Sequence, residues 1–156
     1  MDSFYISNKM SLTMEEMIGT IGSLEELERM FPSEMLKEDT RLGDYLARLL
    51  DKYGARCHTV SEQACLDGSY VGHIVNGKRN NPTRDALISI CIAVGATVEE
   101  AQYLLRYAGH SPLYVRRRRD VIIWFGLMKK MSVTEVNLSL AERGLSELSP
   151  RRKKCD

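Results

Sequence analysis

The stretch Thr59–Gly77 reads TVSEQACLDGSYVGHIVNG, and the fold of the chain turns on it. Its pattern predicts a short helix from about Thr59 to Cys65, a three-residue turn, and a second helix through about Val75. Asp67 is placed to cap that second helix, and Asn76-Gly77 ends it. A helix-turn-helix needs a small residue where the second helix crosses the first, here Ser61 or Ala64. It also needs apolar anchors under the second helix, here Val71 and Ile74. The outer side of such a helix enters a DNA major groove about 12 Å wide. Spacing alone carries little weight. The continuation carries more: Asn76-Gly77-Lys78-Arg79-Asn80-Asn81-Pro82-Thr83, a mostly buried helix, Val94-Gly95-Ala96-Thr97, then Val98-Glu99-Glu100.

Outward from this centre the chain reads as helix nearly throughout. Upstream, Leu42, Tyr45, Leu46, Leu49 and Leu50 follow amphipathic helical spacing, and Gly54 supplies a stop. Downstream, Ala86–Val94 is apolar almost all round, and Val98–Ala108 is amphipathic again and ends at Gly109. Towards the N-terminus, Thr13 with Glu16 and Ser23 with Glu26 have capping-box spacing, and Leu24, Leu27, Met30 and Phe31 share a face. Gly19 and Gly22 weaken this region and Pro32 closes it, so residues 12–38 are expected to form one or two short helices.

A shift of 35 residues aligns Arg84-Asp85 with Arg119-Asp120 and Ile88 with Ile123. Without a gap it also aligns Val98 with Val133, Glu100 with Glu135, Leu105 with Leu140, Gly109 with Gly144 and Leu113 with Leu148. Two copies are too few for a solenoid, but they imply a second helical hairpin shaped like the first.

Bulk composition fits an all-α globular chain of 156 residues, 44% hydrophobic and 28% charged. The net charge of +1 hides an asymmetry: residues 1–40 carry nine acids and three bases, the remainder twelve acids and nineteen bases. A cationic body behind an acidic leader suits a polyanion, although solvated helix faces account for the charge equally well. The longest apolar run, Val121–Met128, is far short of the roughly 20 residues needed to cross a bilayer. No secretory signal is read at the start, and cysteines 57, 65, 91 and 155 form no regular framework, so a cytoplasmic setting is expected.

The segment from the apolar helix through Asn76–Thr83 to Val94–Glu100 resembles the xenobiotic-response-element (XRE), or phage-repressor-like, helix-turn-helix family. The whole chain is also similar to a regulator subfamily with an acidic leader and an extra C-terminal hairpin. The matching stretches are Leu42–Leu50, Gly77–Asp85, Glu99–Leu105, Ala108–Tyr114 and Arg119–Ile123. This resemblance implies base contacts from Gly68, Ser69, Tyr70, Gly72 and His73. It implies phosphate contacts from Cys57 and His58 at the first helix and from Lys78, Arg79 and Asn81 in the loop, with Arg56 and Arg84 as added cations. The sequence departs from a strong binder: Gly68 and Gly72 have no side chains to read bases, and the turn glycine expected near Cys65 is missing. Tyr70 could instead pack against Leu66.

Other chemistries are weighed against these residues. Cys57, His58, Cys65 and His73 are zinc-ligand types within 17 residues, but without paired C-x-x-C spacing, so no metal or cofactor is expected. With no Ser-His-Asp set, phosphate loop or paired carboxylates, the chain is not read as an enzyme. Ile122, Trp124, Phe125 and Met128 give the second hairpin more apolar surface than one hairpin face hides. They either pack inward or form a dimer interface.

The expected architecture is therefore all-α: an acidic helical leader over 1–39, a five-helix lambda-repressor-like domain over 40–113, a hairpin over 114–149 and a basic tail over 150–156. The expected function is sequence-specific binding of double-stranded DNA in transcriptional control, as a repressor and a homodimer in a bacterium. The leader would either temper DNA affinity or bind a regulatory protein. The alternative is a protein-interaction adaptor that keeps the fold with little base readout.

Overall fold

The computed structural model describes residues 19–30 and 41–148. The Thr13–Glu16 box, the Phe31-Pro32 stop and the basic tail lie outside the described residues. Those described form eight helices and no strand. The chain divides into two compact units, Met1–Asp39 and Thr40–Asp156.

In the first unit, α1 spans Leu24–Met30. Glu26 N donates to Ser23 Oγ at 3.2 Å, which satisfies one amide at the helix start.

The second unit begins with α2 (Leu42–Lys52), α3 (Cys57–Gln63) and α4 (Tyr70–Val75). It continues through α5 (Arg84–Val94), α6 (Val98–Tyr107), α7 (Arg118–Met128) and α8 (Val133–Ala141). Helix α2 buries Leu46, Leu49 and Leu50, as its spacing predicts. Helix α5 buries seven consecutive residues, Ala86–Ile92, because α3, α6, α7 and α8 all pack against it. Within it, burial pushes the Cys91 thiol up to about 12, with the Glu100 carboxylate adding, so this cysteine packs as a small hydrophobe.

Two helix starts differ from the sequence expectation. Helix α3 begins at Cys57 rather than Thr59, after Arg56, which makes no side-chain cap. Helix α4 begins at Tyr70, because Asp67–Ser69 form a turn in which Tyr70 N donates to the backbone oxygen of Asp67 at 2.9 Å.

The two hairpins, α5–α6 and α7–α8, share a set of side-chain bonds at the 35-residue shift. Thr97–Glu100 and Ser132–Glu135 are both complete capping boxes. Gln102 bonds the backbone of Leu113, and Asn137 that of Leu148. Arg84 donates to the carbonyls of Ser111 and Pro112, and Arg119 to those of Ser146 and Glu147. Nη1 and Nη2 of each guanidinium also reach across to the other repeat. Arg84 grips both oxygens of Asp120 at 3.3 and 3.1 Å, and Arg119 grips both of Asp85 at 3.0 and 2.9 Å. Helix contacts α5–α7, α5–α8 and α6–α7 share this reciprocity. The hairpin over 114–149 thus belongs to the same compact unit as residues 40–113.

At the crossing of α7 and α8 a Cβ on Gly126 would lie 2.5 Å from Val136 Cγ2. The equivalent positions in the first hairpin are Cys91 and Ala101, where the larger side chain sits on the first helix instead. Volume is kept while its location is exchanged, the kind of change a packed core tolerates.

Helix α2 is tied to α6 through Glu100, which receives hydrogen bonds from Lys52 Nζ (2.9 Å) and the Tyr53 hydroxyl while completing its capping box. Partial burial raises its pKa, but the bonds from Thr97, Tyr53 and Lys52 outweigh it and hold the carboxyl down at about 2. Tyr45 of α2 packs on Tyr103 and Tyr107 of α6, with ring centroids 6.4 and 5.0 Å apart.

Candidate nucleic-acid interface

Helices α3 and α4 cross at Ser61. Its buried hydroxyl donates to Cys57 O at 2.8 Å and accepts from Val71 N at 3.0 Å. One small side chain thus fixes the approach of the two helices and satisfies an otherwise orphaned amide at the start of α4. Ala64 is fully buried, and Val71 and Ile74 anchor α4 in the core.

The connecting turn closes α3 as a Schellman cap, with Leu66 N bonded to Ser61 O and Cys65 N to Glu62 O, both at 2.9 Å. Cys65 occupies the left-handed position at φ 61°, where glycine is the usual residue. Helix ends at Gly95 and Gly109 use the same cap with glycine. Left-handed strain costs a non-glycine residue about 1 kcal/mol or more, against a comparable but smaller entropic cost of glycine. Cys65→Gly is therefore expected to raise unfolding stability by about 0.5 kcal/mol. A shift of the urea midpoint to higher concentration at unchanged slope checks this.

The side chains proposed to meet DNA divide into two groups. Ser69 is exposed, and Gly72 and His73 are half-buried on the outer side of α4. Arg56, Lys78, Arg79 and Asn81 are exposed around it. Lys78 N is held by Asn76 Oδ1 and Arg79 N by His73 O, so the loop leaves α4 in a defined direction.

The second group is engaged by contacts within the chain. Tyr70 is 4% exposed, packed into the core with the Arg79 guanidinium stacked 4.2 Å over its ring. It cannot present an edge to a base; it orients Arg79 instead. Gly68 sits under His58, where a Cβ would come within 2.6 Å of the imidazole. His58 in turn bonds Gly68 O at 3.3 Å and Glu62 at 3.1 Å, so it braces the turn. Cys57 is half-buried beside Gly72. Arg84 is committed to Asp120 and two carbonyls, which removes it from the phosphate set.

Sequence reasoning missed Arg41 and Asn80. With Arg79 they line a cleft of about 240 Å³ between the start of α2 and the end of α4. Arg41 lies some 37 residues before the loop that carries Lys78, so local pattern gives no sign of the meeting.

Of the interface candidates on the second hairpin, Trp124 is buried at 6% exposure and serves the intramolecular core. Ile122 is half-buried, while Phe125 and Met128 stand open at 54% and 44%. Val121 and Leu138, not singled out from sequence, are also exposed. The 35-residue shift sets Val121 and Leu138 on Ala86 and Tyr103, so it gives no sign from sequence that they stay open.

Among the described residues, no three His, Cys, Asp or Glu side chains converge to hold a metal, and no helix is long and apolar enough to cross a membrane. Comparison of the chain with protein-family models, with curated proteins and with solved structures gives no match.

Proposed function

We propose that the chain is a sequence-specific DNA-binding regulator of the XRE helix-turn-helix type, acting in transcriptional control as a repressor. In this reading α2–α6 are the five helices of a lambda-repressor-like domain and α4 is the recognition helix. The observation that carries it is the crossing at Ser61, which leaves Ser69, Gly72 and His73 toward the outer side of α4 while Arg56, Lys78 and Arg79 are exposed. An outward helix edge carries the base contacts, and flanking cations carry the phosphate term.

The test is binding of the purified full chain to duplex DNA from upstream of its own gene, followed by fluorescence anisotropy across a salt series. Two to four phosphate contacts give a log–log slope of roughly −2 to −4. The Lys78→Ala/Arg79→Ala double variant should weaken binding about tenfold or more and flatten the slope by about 2. A helical spectrum equal to that of the parent would exclude misfolding.

A second reading, an adaptor that keeps the fold for protein contacts, is favoured by the thin readout surface: two glycines, one serine and a half-buried histidine. Salt-insensitive or absent DNA binding, unchanged in the double variant, selects it.

A further inference from the structure

The two hairpins share a structure but differ in what covers them. In the first, one face is closed by α2 and α3: Ala86 and Ile90 of α5 are buried, Tyr103 stacks on Tyr45, and Glu100 receives Lys52 and Tyr53. The equivalent positions of the second hairpin are Val121, Phe125, Leu138 and Glu135. All four are exposed, the three apolar ones at 42%, 54% and 60%. The second hairpin thus keeps the face on which the first carries its covering helices.

That face has a charge order. Along α7 and its C-cap run Arg118, Val121, Phe125, Met128 and Lys129, all exposed: cations at both ends and apolar residues between. Along α8 and its C-cap run Glu135, Leu138 and Glu142, also exposed: acids at both ends and an apolar residue between. At helical rise both apolar centres fall near the middle of their stripes. The α7 stripe complements the α8 stripe, and the two lie on the same hairpin. A two-fold axis that sets α7 of one molecule on α8 of another satisfies both stripes twice, as an isologous interface requires.

The first hairpin holds a precedent for the ionic part. Glu100 keeps its capping box with Thr97 while accepting a lysine from the covering helix at 2.9 Å. Its counterpart Glu135 has the same capping box with Ser132. Among the described residues, Glu142 meets a distant cation, Arg143 at 3.7 Å, where both groups are exposed.

From this we infer that the open face of the α7–α8 hairpin binds a second copy of the chain, α7 against the partner's α8, with Phe125 at the centre and Arg118 and Lys129 meeting Glu135 and Glu142. This deepens the regulator reading, since a two-fold dimer presents two α4 helices, but its test needs no DNA.

The full-length chain is followed by sedimentation velocity from about 1 to 100 µM. The expected result is a reversible dimer at twice 17.7 kDa that weakens as salt is raised. Phe125→Glu should raise the dissociation constant at least about 30-fold, the size of a central interface hot spot. Arg118→Glu with Lys129→Glu should give monomer. Adding Glu135→Lys with Glu142→Lys should restore the dimer with the charges exchanged, a rescue that general destabilisation does not produce. A monomer at every concentration, a dimer indifferent to Phe125→Glu, or failure of the charge-exchanged set to reassociate while folded would overturn the inference. None of these outcomes bears on the DNA titration above.

Discussion

Asp120→Ala should be the most damaging single substitution in the second unit, lowering unfolding stability by about 3–5 kcal/mol, the usual cost of removing one partner of a buried ion pair. The Asp120 side chain is 3% exposed and Arg84 19%. Its carboxylate accepts both Arg84 nitrogens and, at 3.0 Å, the backbone amide of Tyr114. Alanine leaves an enclosed guanidinium with only the Ser111 and Pro112 carbonyls, and an amide without its acceptor. The equivalent Asp85→Ala should cost clearly less, because its pair with Arg119 is more open, at 35% and 23% exposure. Urea unfolding of both variants, followed by circular dichroism, checks the order. Arg84→Met with Asp120→Leu should recover most of the loss, since exchanging a whole buried pair for apolar groups is often near neutral. Equal losses from Asp120→Ala and Asp85→Ala would contradict the burial argument.

Gly43→Ala sets two effects against each other. Alanine in a helix is favoured over glycine by about 1 kcal/mol, so propensity predicts a more stable protein. Packing predicts the reverse. A Cβ at Gly43 would lie 2.7 Å from the carbonyl oxygen of Ile74 and 2.8 Å from that of Val75, both backbone atoms in the last turn of α4. The Ile74 oxygen already accepts Gly77 N at 3.2 Å, so it cannot swing aside without loosening the end of α4. Overpacking of this kind costs about 1–3 kcal/mol, and packing is expected to win. The net effect should be a loss of about 1–2 kcal/mol, read as a lower melting temperature, and any gain in stability would refute the close approach. The substitution should also tilt α4, because its C-terminal end is the part displaced.

What the sequence makes legible follows from which forces are local. The Leu42–Leu50 spacing, the near-uniform apolarity of Ala86–Val94 and the capping residues Thr97 and Ser132 depend on neighbours within one or two turns, and the helices stand where these signals lie. The start of α3 has no such signal, because Arg56 makes no side-chain cap and Cys57 and His58 are not marked helix formers. The 35-residue repeat is visible, yet its crossed ion pairs are not: Arg84 reads as a phosphate-facing cation until the fold brings Asp120 to it. Trp124 and Phe125 are chain neighbours about 100° apart on α7, and periodicity cannot say which of two apolar directions a partner element covers. On the candidate interface, Arg56, Lys78 and Arg79 are exposed. Tyr70 was open to either reading from sequence, and long-range packing turns it inward.

The crossed exchange between repeats also governs how the molecule comes apart. In an array whose repeats touch only along one dimension, end units fray independently of the rest. Here each hairpin holds one half of both ion pairs, so neither can open without breaking both and leaving the partner groups on the other unpaired. Loss of the second hairpin strips α5 of part of its cover directly after the Lys78–Asn81 loop. Residues 41–148 are therefore expected to behave as one cooperative unit rather than as a domain with a detachable appendage. The distal hairpin is then expected to contribute to the opening free energy of the loop that precedes α5.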